Sequence, residues 1–246
     1  MNPVDAAQRD PVTDAIGHRP DTDGPAPADQ PTTAARTTRR GREAHRELAV
    51  GGVLLALVAF GGLYLSFRPA HTFFDGWILG LVGPSRSAAL TRVTALRFPQ
   101  AIVAGSVVVA LVAYPADRLR ALACLVAPAV ALASCELVVK PLVGRHLGTG
   151  LSYPSGSTVG AAALAAALVL AVPARRRTVA VIVGSAYTLW MSIAVIALQW
   201  HLPTDALAGA AYGAGVVLVV DGALWALSAG VRGGTAGRRP ATSRGG

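Results

Sequence analysis

Six apolar stretches follow one another along the chain, at 48–67, 98–116, 121–139, 157–172, 178–200 and 206–231. Four carry no charge, and the third and sixth are each broken by one acidic residue, Glu136 and Asp221. A hydrocarbon core of roughly 30 Å takes about 20 helical residues to cross, and a backbone crossing it must satisfy its own hydrogen bonds. The pattern therefore predicts an all-α protein, a six-transmembrane-helix bundle. Alanine, glycine and valine dominate the stretches, and small residues let helices approach closely in lipid. With 53% hydrophobic and 14% charged residues, the chain fits neither a soluble domain nor a disordered one.

The remaining residues frame the bundle. Segment 1–46 holds six prolines and six aspartates with almost no bulky apolar residue, so it is read as a disordered cytoplasmic tail. Residues 47–231 form the membrane domain, and 232–246 a basic, glycine-rich cytoplasmic tail. No charged-then-apolar pattern of a signal peptide opens the chain. Cys124 and Cys135 lie in an apolar stretch without zinc-ligand spacing and read as small buried hydrophobes. The net charge of +9 sits in clusters between apolar runs, which favours membrane topology over nucleic acid.

Those clusters set an orientation. With the N-terminus inside, arginines 36, 39, 40, 42, 46, 118, 120, 175–177, 232, 238, 239 and 244 fall on the cytoplasmic side. Arg68, Arg86, Arg92, Arg97, Lys140 and Arg145 fall on the other. Both termini are expected in the cytoplasm. The long connection between spans one and two contains the amphipathic piece 73–82, expected as an outer-face interfacial helix.

In that topology the polar residues that lipid does not explain share the outer side. Lys140, the one lysine in the chain, stands with Arg145 and His146 after span three; Ser155, Gly156 and Ser157 open span four; His201 and Asp205 open span six. A helix beginning at Pro154-Ser155-Gly156-Ser157 presents free N–H groups and a positive dipole end to an anion, although the same residues suit an ordinary helix start. His201 and Asp205, four apart, share a face if the helix begins near His201; the carboxylate then holds one ring nitrogen and leaves the other as nucleophile. The plainer reading is an interfacial histidine and a helix-start aspartate. Glu136, one turn before Lys140, is expected to pair with it, whereas Asp221 has no evident basic partner.

Taken together, the blocks Lys140-Pro-Leu-Val-Gly-Arg145, Tyr153-Pro-Ser-Gly-Ser157 and Trp200-His-Leu-Pro-Thr-Asp205 resemble the signature blocks of the type-2 phosphatidic acid phosphatase and vanadium haloperoxidase superfamily. The resemblance spans roughly residues 48–229. It implies a metal-free phosphatase without a cofactor, acting on a membrane lipid phosphate or prenyl diphosphate in the bilayer, with its active-site face outside. Lys140 would contact the phosphate, with Arg145 beside it; Ser155, Gly156 and Ser157 would cradle its oxygens. His201 would become phosphorylated, and Asp205 would orient it.

Three family positions are filled differently. Where the pattern K-x6-R-P places arginine stands Leu147; where P-S-G-H places histidine stands Ser157; the arginine of S-R-x5-H-x3-D is replaced by Val195, preceded by Ala194. Serine does not titrate near neutral pH and cannot replace imidazole as an acid. Loss of a general acid costs about 10²- to 10⁴-fold. A diphosphate ester has the better leaving group and needs that acid less, and His146 is a candidate displaced acid. The alternatives are an inactive relative that binds or moves lipid phosphates without hydrolysis and an unrelated six-helix transporter. The transporter is the weakest, since no span shows paired mid-membrane breaks.

Overall fold

The computed structural model describes residues 33–67, 71–85, 87–148 and 150–236. Segments 1–32 and 237–246, and with them Arg68, Arg86, Arg238, Arg239 and Arg244, lie outside the described residues. The chain runs through α1 (Thr33–Phe67), α2 (Phe73–Val82), α3 (Ala88–Val93) and a 3-10 turn (Thr94–Arg97) into α4 (Pro99–Ala113) and α5 (Arg118–Ser134). A π-turn (Cys135–Val139) leads from α5 into α6 (Lys140–Val143), followed by a hairpin of β1 (His146–Leu147) and β2 (Gly150–Leu151). Then come α7 (Gly156–Ala171), α8 (Arg177–Ala197) and α9 (Pro203–Ala236).

All six apolar stretches lie in helices. The apolar spans of α1, α5 with its π-turn and α6, α8 with the short turn before it, and α9 are long and apolar enough to cross a membrane. A fifth crossing is available if α3 and α4, bent by 61° at their junction, count as one span. At 16 residues α7 is shorter, about 24 Å. It lies in the middle of the bundle against α4, α5, α8 and α9, and most of its residues are buried. Large apolar side chains on the outer helices, such as Phe60, Leu111 and Ile182, are exposed at 73%, 67% and 63%. A rind of this kind requires an apolar solvent, so the protein is an integral membrane protein.

The centre is held by close backbone approach. Helices α1 and α9 run antiparallel, with Gly51 against Gly215 and Ala44 against Gly222; a Cβ on Gly51 would stand 2.8 Å from the Gly215 carbonyl oxygen. On its other face α9 meets α7, where a Cβ on Gly209 would lie 2.6 Å from the Ser155 carbonyl and one on Gly213 would collide with that of Val159. Small residues thus press the start of α9 onto the start of α7. Cys124 and Cys135 are both free and buried, and Cys124 Sγ faces the Ala167 carbonyl at 3.5 Å.

Helix α1 begins inside the segment expected to be a tail. Its first turns are stabilised by distant partners: Arg40 reaches Asp221 at 2.7 Å and Glu47 at 3.0 Å, while Arg120 of α5 reaches Glu47 at 3.0 Å and Asp221 at 3.3 Å. Asp117 caps α5 through the Leu119 and Arg120 amides and lies 3.4 Å from Arg40. Asp221, without an evident partner in the sequence, is therefore paired with two arginines, brought from 181 and 101 residues away.

Candidate active site

At the other end of the bundle the three blocks meet. Gly144, at φ +64°, ends α6 in the left-handed conformation that glycine adopts without a Cβ penalty, donating its N–H to the Lys140 carbonyl. The chain turns through the short hairpin and returns, where the Ser152 N–H donates to the Arg145 carbonyl at 2.8 Å. Tyr153 pins this return to α1 through a 2.8 Å hydrogen bond to the Val58 carbonyl. Burial, followed by the Asp205 charge, pushes its hydroxyl up to about 12. From there Ser155 donates its N–H to the Asp205 carbonyl at 2.9 Å, joining the start of α7 to the start of α9.

The His201 ring is held by a group the sequence did not indicate. Its Nδ1 lies 2.9 Å from the Ser152 carbonyl. That oxygen only accepts, so Nδ1 carries a hydrogen, and in the neutral ring the lone pair is the one on Nε2. Asp205 stands farther off, its Oδ2 3.9 Å from Nδ1. The expected direct His201–Asp205 hydrogen bond is thus corrected. Helix α9 starts at Pro203, so His201 precedes it and the two residues do not share a helical face. Asp205 instead accepts from the Leu202 N–H at 3.0 Å and from Arg145 Nη1 at 2.7 Å.

Arg145 is correspondingly placed away from any open surface. It is fully buried, with Nη1 also donating to Thr204 Oγ1 at 2.7 Å and Nη2 to Asp75 at 3.2 Å. Asp75 escaped the sequence reading altogether. It completes a capping box with Thr72 at the start of α2 and accepts from the Thr204 N–H at 2.9 Å and hydroxyl at 3.2 Å. Burial alone would raise its carboxyl, but the hydrogen bonds from Thr204 and Thr72 outweigh that and hold it below the usual range. The spacing Thr72-x-x-Asp75 is a sequence signal for the helix start. Nothing local signals the partner 70 residues on.

Lys140 faces the start of α7. The π-turn before it alters the α5 rotation, and its Nζ lies 2.7 Å from Glu136 Oε1, the expected pair. A Cβ on Gly156 would strike that carboxylate and come within 3.6 Å of the ammonium, so both charges lie directly over the first turn of α7. No side chain caps this helix. Ser155 is buried, its Oγ accepting from Thr158 Oγ1 at 3.2 Å, whereas Gly156 and Ser157 border a cavity of about 520 Å³. Arg97 and Glu136 line the same polar end, and Ile102, Val103, Leu132 and Leu137 wall its apolar part. His146 is exposed on β1, beside Arg145 in sequence and opposite Leu151. Leu147 is half-buried on the same strand, and Val195 is fully buried against Ala161 and Met191, so neither position carries charge into the site.

A second cavity, about 490 Å³, lies among α2, α7, α8 and α9, is almost wholly apolar, and has no titratable group on its walls. Among the described residues no group of three or more His, Cys, Asp and Glu is placed to hold a metal ion.

No family model matches the sequence, and no curated protein matches it either. Among solved structures, the chain is similar to the crystal structure of a transmembrane PAP2-type phosphatidylglycerolphosphate phosphatase from Bacillus subtilis. That likeness has a TM-score of 0.54 and 17% sequence identity, and covers 78% of this chain and 98% of that one. The chain thus shares the fold of a membrane PAP2-type phosphatase.

Proposed function

We propose that the protein hydrolyses a lipid phosphate or prenyl diphosphate through a phosphohistidine on His201. The observation that carries this reading is the ring itself: Nδ1 is engaged by the Ser152 carbonyl, leaving Nε2 as a lone-pair nucleophile at the end of the bundle where Lys140 and the uncapped start of α7 lie. Nε2 attacks phosphorus, the P–O bond to the lipid breaks, and water then cleaves the P–N bond to release phosphate and restore the histidine. Lys140 and the α7 amides draw the phosphate oxygens, and the negative charge developing on them is stabilised by donors already in place. Asp205 acts at a distance. It holds Arg145, whose carbonyl binds Ser152, whose carbonyl in turn orients the ring.

In this reading the chain crosses the membrane six times with both termini in the cytoplasm and the site outside, as the distribution of arginines favours. Helix α2 lies at the outer interface, where Phe73 and Trp77 are exposed at 92% and 57%. With serine at 157, a diphosphate is the favoured substrate, because a lipid monophosphate leaves without prior protonation.

A second reading is favoured by one feature. The Glu136 carboxylate already occupies the start of α7 beside Lys140, as a bound anion would, which suits a protein that holds lipid phosphates without cleaving them. Phosphate release by purified protein from farnesyl diphosphate and from phosphatidic acid separates the two. Release is expected from the wild type and should fall about 10⁴-fold or more in His201→Ala, on the scale seen when a nucleophile is removed. Release that this substitution leaves untouched would overturn the enzymatic reading.

A further inference from the structure

We propose that Arg97, which lies outside all three signature blocks, is a substrate-phosphate ligand and supplies the guanidinium absent at positions 147 and 195. The inference rests on the site described above and deepens it. Arg97 ends the 3-10 turn before α4, where the chain bends, and it lines the cavity together with Glu136, Gly156 and Ser157. Its guanidinium carbon stands 4.6 Å from the centre of the Trp200 ring and 5.4 Å from that of Phe98. Trp200 directly precedes His201, so Arg97 bridges the nucleophile's loop and the start of α7.

Charge balance favours a further cation at the site. Lys140 shares its charge with Glu136 at 2.7 Å, and Arg145 is enclosed by Asp75 and Asp205 at 3.2 and 2.7 Å. Lys140 therefore draws a phosphate with only part of its charge, and Arg145 is already committed to carboxylates. Arg97 has no carboxylate within 4 Å among the described residues and borders the open space, so its charge is available to an incoming anion there. Stacking on an indole face holds the guanidinium plane while its N–H groups, directed in that plane, remain available for a bidentate contact. A lysine carries the charge without that fork. The apolar wall of the same cavity suits the chain of a lipid ester.

The test uses the full chain in detergent. Wild type, Arg97→Lys, Arg97→Gln and His201→Ala are compared for binding of inorganic phosphate by titration calorimetry and for KM and kcat on farnesyl diphosphate. Arg97→Gln is expected to weaken phosphate binding and raise KM about 10- to 100-fold, the scale of one or two charge-assisted hydrogen bonds. Arg97→Lys should recover part of that loss with an unchanged melting temperature, which a purely structural stacking role would not produce. Equal phosphate binding in wild type and Arg97→Gln, or no binding to the wild type, overturns the proposal. If Arg97→Gln does not fold, the Lys variant decides: it must bind phosphate more weakly than wild type by several-fold, and equality overturns the proposal. Phosphate binding that depends on Arg97 without any release sensitive to His201→Ala would sink the phosphatase reading alone and leave Arg97 as an anion ligand.

Discussion

The two ends of the bundle both bury arginines among carboxylates, yet they are built differently. At one end Arg40 and Arg120 are shared among Glu47, Asp117 and Asp221, tying α1, α5 and α9 together, and none of these residues borders any of the larger cavities. At the other end Arg145, Asp75 and Asp205 form a comparable buried set, but its hydrogen bonds continue through Ser152 to a histidine. Beside that set an uncapped helix start opens on a 520 Å³ space. The lesson is that a buried ion cluster is not itself a sign of chemistry. The difference is whether the cluster's hydrogen bonds lead on to a nucleophilic side chain and lie near a helix start that borders an open space.

Removing one carboxylate at each end sharpens the contrast. Asp205→Ala should lower kcat for phosphate release by about 10²- to 10⁴-fold, because Arg145 loses a partner and the Ser152 carbonyl no longer holds the ring. Asp221→Ala should leave release per folded molecule unchanged. Its effect should appear in thermal unfolding, with a loss of about 3–5 kcal/mol, since two buried arginines then have only Glu47 as a shared partner. An activity loss in Asp221→Ala matching that of Asp205→Ala would erase the distinction between the two ends.

The smallest expected effect concerns acid. The folded Asp75 carboxyl lies below its ordinary value, so its contribution to stability is complete above about pH 4 and is lost as the pH falls through the folded value. Asp75→Asn should remove that part of the acid dependence and cost about 1.5–3 kcal/mol at neutral pH, the scale of hydrogen bonds to a charged group. Unfolding followed between pH 2 and 7 measures both. An acid limb identical in the two proteins would show that the Arg145 cluster does not depend on Asp75.

The helices themselves were legible because hydropathy is a local property. Residues 73–82 form the expected α2, and the six apolar runs all fall in helices. The bend between Arg97 and Pro99 and the π-turn at Cys135–Val139 were not legible from hydropathy, since neither changes the apolar pattern. The start of α1 was misread because its turns contain ordinary polar residues. Their helicity depends on Asp221 and Arg120, which composition cannot place nearby.

At the site, the sequence by itself determined which reactive groups the chain owns: one lysine, a histidine with an aspartate four residues on, and a glycine-serine helix start. Residue identity and short spacing are enough for that. Only the tertiary structure decided what each group touches. It gave Asp205 to Arg145, the His201 ring to the Ser152 carbonyl, and Arg97 to the cavity at the start of α7. The physical reason is range: hydrogen bonds and ion pairs act over a few ångströms of space, and the chain distance between these partners runs to tens of residues.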